Sequence, residues 1–427
     1  MSRPIHGRLA RSWLLASALA VALPLAASPL AARAQSLALN QALARAAQAD
    51  PNRPAVEARL KAADAGARQA GVRANPVVGV ELEDLTGTGP YSLIDRAQAT
   101  VYYQQSLERG GKREARTALA RTEVDLVRLR HQTKVLDLLE EVELAWVEAL
   151  AAEARVRLAR TRLEIAERAR GEVDRRVKAA RDPLFAGARA DAQVAEARIA
   201  LSQAQMTADT ARRTLAGYWN GGVDFEIDPA ALEDTSAALD VAGEPSSVDL
   251  ALLDAERQTA TAKVRLEETK AVQDPTWRAG LRYLNDGRDM AVVVGGSIPL
   301  ASHDTNRGAI ERAQAERTAA DADLLSGKVL RERRIARLQA DLAARVSEAA
   351  RIQAEVLPAA ERTVALVRDG FNRGGFSYLD VIEAQKALID ARSRRLDALK
   401  AFHADRALLA RLTGRHAALI PASETVR

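Results

Sequence analysis

The chain has 427 residues, 28% charged and 48% hydrophobic, with a formal net charge of +5 and no cysteine. The missing cysteine excludes disulfides, thiolate metal sites, a cysteine nucleophile and a cysteine-linked lipid anchor. An Ala-, Leu-, Arg- and Glu-rich composition is that of long helices and coiled coil.

Residues 1–34 differ from the rest. Arg3, Arg8 and Arg11 precede an apolar run, Trp13–Leu25, and small residues lead to Ala32-Arg33-Ala34. This is the pattern of a secretory signal peptide cut before Gln35. Its removal takes away four Arg and no acids, lowering the formal charge from +5 to +1, so no nucleic-acid footprint remains.

Ser36–Arg73 reads as a helix. Pro76 ends it, because proline pushes Asn75 out of the helical region. In the strand that follows, Val78, Val80 and Leu82 share one face, opposite Glu81 and Glu83. A second strand leads to Gly110-Gly111-Lys112-Arg113, a tight turn into a new helix. The phosphate-loop spacing G-x-x-x-x-G-K-[ST] is absent. From Lys112 to about Val177 the helix is roughly 100 Å long. Val135, Leu138, Val142, Ala145, Ala149, Ala152, Val156, Ala159, Leu163 and Ala166 form its seam at alternating spacings of three and four. Asp182-Pro183 breaks it, and a second, antiparallel helix runs from about Ala186 to Gly217.

After a Gly- and Pro-punctuated linker the plan repeats. Residues 248–273 take the role of 36–73, and Pro275 the role of Pro76. Trp277, Ala279, Leu281 and Tyr283 then alternate with Arg278, Gly280 and Arg282. Thr305–Arg368 is again a long helix, with Ile335, Leu338, Leu342, Ala349, Ile352, Val356 and Ala359 on its seam. A break at Gly370–Ser377 precedes a final helix, Tyr378–Thr413. The predicted organisation is therefore a signal peptide 1–34, a first repeat 35–220, a linker 221–245, a second repeat 246–414 and a tail 415–427.

The four strands alternate in the manner of a soluble sheet with one buried face, or of a transmembrane strand between lipid and a wet lumen. Tyr91, Tyr102, Tyr103, Trp277 and Tyr283 near the strand ends suit an interfacial girdle. No run after residue 34 is apolar for long enough to span a bilayer as a helix. Crossing would need a closed barrel, and four strands fall short of the roughly eight in the smallest single-chain barrels. Several chains would have to share one.

With its duplicated helix–strand–strand–helix plan, the NP and DP before strands one and three, and a tip motif followed by Leu379-Asp380-Val381-Ile382-Glu383-Ala384-Gln385, the mature chain resembles the TolC-like outer-membrane factors. The stretch Gln104–Arg113, QQSLERGGKR, is similar to that of the CzcC-like heavy-metal branch. The resemblance implies a mainly α fold with a small β part. Long antiparallel coiled-coil hairpins and four transmembrane strands per protomer would form a homotrimer with a 12-stranded barrel, continued by a helical barrel in the periplasm. It implies an outer-membrane exit duct of a tripartite RND-type efflux system for divalent heavy-metal cations, partnered by a periplasmic adaptor and an inner-membrane transporter.

By the same resemblance the hairpin tips dock the adaptor. These comprise Ala180, Arg181, Asp182, Pro183 and Leu184 in the first hairpin, and Phe371, Arg373, Gly374, Gly375, Phe376 and Ser377 in the second. Asp380 and Glu383 would line the pore gate and favour cations. An internal offset of 194 places Ala186 and Arg189 opposite them, so the acidic pair exists in the second repeat alone. Phe376 stands where the family carries a basic gate residue, and Arg373 and Arg189 are the candidates for its role. Gly110, Gly111, Lys112 and Arg113 make the strand-to-helix turn.

No other chemistry is legible. His6, His131, His303, His403 and His416 are scattered without ligand spacing. Ser, His and Asp show no nucleophile-elbow pattern. The expectation is no enzyme, no cofactor and no resident metal. An exit duct for drugs or for type I protein secretion fits the same plan. A reading of another class is a periplasmic coiled-coil adaptor or structural protein without a pore, which predicts soluble protein and no bilayer conductance.

Overall fold

A computed structural model describes residues 35–92, 94–236 and 245–420, and the signal-peptide reading lies outside them. The elements in order are β1 (Gln35–Ser36), α1 (Leu39–Gln48), α2 (Arg53–Ala70), β2 (Val77–Glu83), β3 (Gln98–Ser106), α3 (Lys112–Lys178) and α4 (Leu184–Gly217). Then come β4 (Phe225–Glu226), α5 (Ser247–Lys270), β5 (Thr276–Leu284), β6 (Asp289–Ser297), α6 (Arg307–Arg351), α7 (Leu357–Arg373) and α8 (Tyr378–Thr413). The helix expected over 36–73 is two helices. Asp50-Pro51 breaks it, because Pro51 can neither donate to the ladder nor fit inside it.

Helix α3 spans 67 residues, about 100 Å at 1.5 Å per residue. Its seam residues Val135, Val142, Ala149, Ala152, Val156 and Ala166 are buried as the spacing predicts. Near its middle it is enclosed on further sides. There Leu136, Leu139, Trp146, Val147 and Leu150 join Leu43 of α1, Leu215 of α4, Phe225 of β4 and Leu399 of α8 in the main core. β1 pairs in parallel with β4, fastening the start of the described chain to this waist.

The second long rod is built differently. Helix α6 (45 residues), a π-helical turn over Ile352–Val356 (5 residues) and α7 (17 residues) run end to end, matching α3 in total length. The seam does not run through Val356 and Ala359 as the spacing predicts. Both are exposed, and burial passes instead from Ala349 and Ile352 to Leu357, Ala360, Val364, Val367 and Phe371. The step from 352 to 357 is five residues because Leu357 N–H donates to Ile352 O. One extra residue in that turn rotates everything below it by about 100°. Pro358 supplies the cause. It has no N–H for the ladder, and its ring crowds the preceding turn.

Strands β2, β3, β5 and β6 form one antiparallel sheet in the order β2-β3-β5-β6, so the two halves of the chain meet between β3 and β5. All of its helical connections leave from one end, and the loops 84–97 and 285–288 lie at the other.

Candidate functional site

The sheet has two unlike faces. On one, Val80, Val101, Leu281 and Val292 stand in a directly opposed row. Val78, Tyr103, Ala279 and Val294 form the next, and Leu82, Ala99, Tyr283 and Met290 another. Nothing among the described residues covers this face: Val292 and Val294 are 74% and 76% exposed. Eleven large apolar side chains on this face stand open, each 40–76% exposed. At about 1.5–3 kcal/mol each for full burial, scaled by the fraction of each that stays open, the uncovered face forgoes on the order of 10–20 kcal/mol, comparable with the whole stability of a typical domain. Among the described residues, no layer buries this face as a soluble one-sided sheet requires.

The opposite face is polar. It carries Glu81, Glu83, Gln98, Thr100, Tyr102, Gln104, Arg278 and Arg282. Tyr102 therefore leaves the aromatic girdle expected from sequence, because neighbours in a strand point to opposite faces and Tyr103 takes the apolar side. Tyr103 and Trp277 pack there with ring centroids 5.6 Å apart. Strands β2 and β6 are edges, each with an unpaired row of backbone groups.

The joint between sheet and helices is built from both halves. Gly110 and Gly111 have φ of +70° and +78°, left-handed values that suit glycine. Lys112 Nζ lies 2.6 Å from Asp274 Oδ2, and Arg109 N–H donates to Asp274 Oδ1 at 2.9 Å. Burial opposes ionisation of Asp274, but the Lys112 ammonium and the Arg109 amide outweigh it and hold the carboxyl below the usual range. Arg113 pairs with its neighbour Glu114. In the second half Asn306 takes the left-handed position (φ 57°), its Nδ2 donating to Glu267 O at 2.7 Å.

At the far end the two hairpin tips pack on each other. Val173, Ala186 and Ala190 of the first meet Phe371, Tyr378 and Val381 of the second. Arg176 joins them. It makes a two-pronged pair with Asp182 (2.8 and 2.9 Å), donates to Phe371 O at 2.6 Å, and lies over the Phe371 ring. Arg368 of α7 pairs with Glu172 of α3 above it. In the first tip Ala180 has φ +55°, Arg181 is exposed, and Pro183 precedes α4. In the second, Gly374 (φ +86°) closes α7, Gly375 N–H donates to Gly370 O, and the Phe376 ring lies over Gly370. Phe371 is buried and supports the tip from within. Leu184 and Phe185, 83% and 69% exposed, are presented together with Arg181, Arg373 and Phe376.

Asp380 and Glu383 have different surroundings. Asp380 Oδ2 accepts from both Ser377 N–H and Ser377 Oγ at 2.7 Å, and Asp380 N–H donates back to Ser377 Oγ. This is a capping box for α8. The Ser377 hydroxyl and amide hold the Asp380 carboxyl below its usual range. Its S-x-x-D spelling was a readable signal that points to this bond. Glu383 is exposed, on the side of α8 away from buried Val381 and Ala384, and makes no hydrogen bond or ion pair among the described residues. Arg373 pairs with Asp369, and Arg189 is exposed on α4.

His131 and His403 are buried and His303 is exposed. Burial lowers the affinity of His403 for a proton, and its Nε2–H donates to Leu232 O at 3.0 Å. His416 Nε2 lies 2.8 Å from Glu143, a buried carboxylate that also faces Arg406. Among the described residues no three His, Asp or Glu side chains converge as a metal ion needs, and no helix is long and apolar enough to cross a membrane.

Residues 40–221 and 278–415 match the family described as "Outer membrane efflux protein". The chain is 28% identical over 385 residues to the cobalt-zinc-cadmium resistance protein CzcC of Cupriavidus metallidurans, covering 89% of this chain and 90% of that one. Its fold matches a membrane protein from Pseudomonas aeruginosa with a TM-score of 0.73 at 16% identity, over 92% of this chain and 94% of that one. It matches the outer-membrane channel OprN with a TM-score of 0.70 at 17% identity, over 88% and 89%.

Proposed function

Because the chain belongs to the outer membrane efflux protein family, and so is a non-catalytic outer-membrane channel protein that reaches into the periplasm, we propose that it is the exit duct of an RND-type tripartite pump for divalent metal cations. In this reading three copies pool their strands into a 12-stranded barrel. Their hairpins continue the bore through the periplasm, and the tips meet an adaptor and an inner-membrane transporter.

The observation that carries the reading is the four-stranded sheet, apolar and uncovered on one face, charged on the other, and open at both edges. Lipid is the solvent for the first face and water for the second. Unpaired edges in hydrocarbon cost several kcal/mol per backbone group, so β2 must meet the β6 of another copy. The metal assignment draws on the likeness to the cobalt-zinc-cadmium resistance protein. Asp380 and Glu383, repeated by threefold symmetry at the entrance, would form rings of negative charge that favour cations. The exposed Leu184, Phe185 and Phe376 serve as the docking surface of the tips.

Full-length protein extracted from outer membranes should require detergent, run as a trimer and conduct ions in planar bilayers. A deletion strain should become sensitive to cobalt, zinc or cadmium and not to drugs. Replacing Asp380 and Glu383 by Ala should weaken cation preference. A freely water-soluble monomer without conductance would sink the channel reading, drug sensitivity alone the metal cargo, and unchanged selectivity the gate assignment.

A further inference from the structure

The polar face of the sheet carries an arrangement that spans both halves of the chain. Arg278 and Arg282 project from β5, Glu81 and Glu83 from β2, and β3 lies between the two strands. Each Arg reaches across β3. Arg278 Nη1 lies 3.4 Å from Glu81 Oε2, and Arg282 Nη2 lies 2.7 Å from Glu83 Oε2. Arg282 also donates to Thr100 Oγ1 at 2.9 Å and Gln98 Oε1 at 3.0 Å, side chains of the strand it crosses. Arg278 lies over the Tyr102 ring, 5.5 Å from its centroid.

Glycines make this flat geometry possible. A Cβ on Gly79 would run into the Tyr102 ring, one on Gly280 into the β3 backbone, and one on Gly295 into the Arg278 side chain. Tyr102 and Arg278 therefore lie along the wall instead of standing out from it. A planar guanidinium suits a ring face and a carboxylate together in a way that a lysine ammonium does not.

We propose that Arg278 and Arg282 set the charge selectivity of the strand-built part of the pore by neutralising Glu81 and Glu83 across β3. The proposal rests on the channel reading, which makes this face the lumen. All four side chains are partly open to solvent, from 26% to 41%. Ion pairs so exposed contribute little to stability, whereas four fixed charges per copy, repeated around a bore, decide which ions it admits. Unopposed, the carboxylates would make a second cation filter at the exit. Paired, they leave the wall close to neutral, so cations concentrated at the entrance are not held on leaving.

The test is the reversal potential of the full-length channel in planar bilayers under a KCl gradient. Arg278→Gln with Arg282→Gln should raise the preference for potassium over chloride several-fold. Glu81→Gln with Glu83→Gln should lower it by a similar factor. The variant carrying all four substitutions should return to the parental value, and Arg278→Lys with Arg282→Lys should keep it. Should the Arg→Gln pair fail to insert, the Glu→Gln pair tests the same balance from the other side. Unchanged reversal potentials in channels that still conduct would overturn the proposal and leave the channel reading intact. A parent protein that never conducts would remove both.

Discussion

Arg176 Nη1 lies 2.6 Å from the carbonyl oxygen of Phe371, so a side chain of the first hairpin holds the backbone of the second. The same guanidinium grips Asp182 and covers the Phe371 ring. The two tips are thereby one packed unit within the chain.

Arg176→Ala should free both tips. Hydrogen bonds to a charged group contribute about 1.5–3 kcal/mol, and at least that much local stability should go. Amides of residues 179–182 and 372–376 should exchange faster by on the order of 10- to 100-fold, with the waist unaffected. Arg176→Lys should recover little, because an ammonium cannot grip Asp182 with two prongs and lie over a ring. Equal exchange in all three proteins would refute the linkage.

The π-helical turn yields a paired test. Deleting Ala354 removes the extra residue and leaves the buried positions on both sides in continuous register. It also forces Pro358 into a regular helix, at a cost of about 3 kcal/mol. Adding Pro358→Ala should restore thermal stability, followed by circular dichroism in detergent. Deleting Ala343, above the turn, should not be rescued by Pro358→Ala, because α6 and α7 would stay misaligned by about 100°.

Gly110 and Gly111 differ in what they tolerate. A Cβ on Gly110 would come 2.8 Å from the Val272 side chain, and φ there is positive. Gly110→Ala should cost about 2–4 kcal/mol, combining backbone strain with overpacking. Gly111 has open space, and Asn306 holds the matching position in the second half. Gly111→Asn should cost less than about 1 kcal/mol. Chemical denaturation in detergent measures both, and equal losses would show that sterics at Val272 do not matter.

Asp274 makes the sheet-to-helix joint sensitive to acid. Its folded pKa lies below the unfolded value of about 3.9. The unfolded state therefore binds the proton first, and the joint's contribution, complete above that value, is lost as pH falls through the folded pKa. Asp274→Asn should lower stability at neutral pH and flatten its decline between about pH 5 and 2. A decline as steep as the parent's would place the acid sensitivity elsewhere.

Much of the plan was legible because it is written in backbone chemistry. Pro76 and Pro275 mark the strand starts, Gly110-Gly111 opens α3 at Lys112, and the alternation of Trp277–Tyr283 gives the faces of β5 correctly. What could not be read depends on neighbours distant in sequence. A seam spaced by threes and fours does not reveal where a turn gains a residue, and such spacing points Val356 and Ala359 inward. Tyr102 and Tyr103 looked alike until strand pairing set them on opposite faces. The cap on Asp380 is legible in sequence, because Ser377 three residues before it announces one. The reach of Arg278 over β3 needed the strand order β2-β3-β5, which no local pattern supplies.

The two rods that leave the sheet are of equal length, 67 residues in α3 and the same total in α6 with its π turn and α7. They work like staves of one cask: each starts at the same rim and finishes at the same tip. Lengthening one alone would leave a ledge and pull Arg176 away from Phe371. Any descendant that must bridge a deeper periplasm has to gain turns in both rods, and in α4 and α8 that run back alongside them.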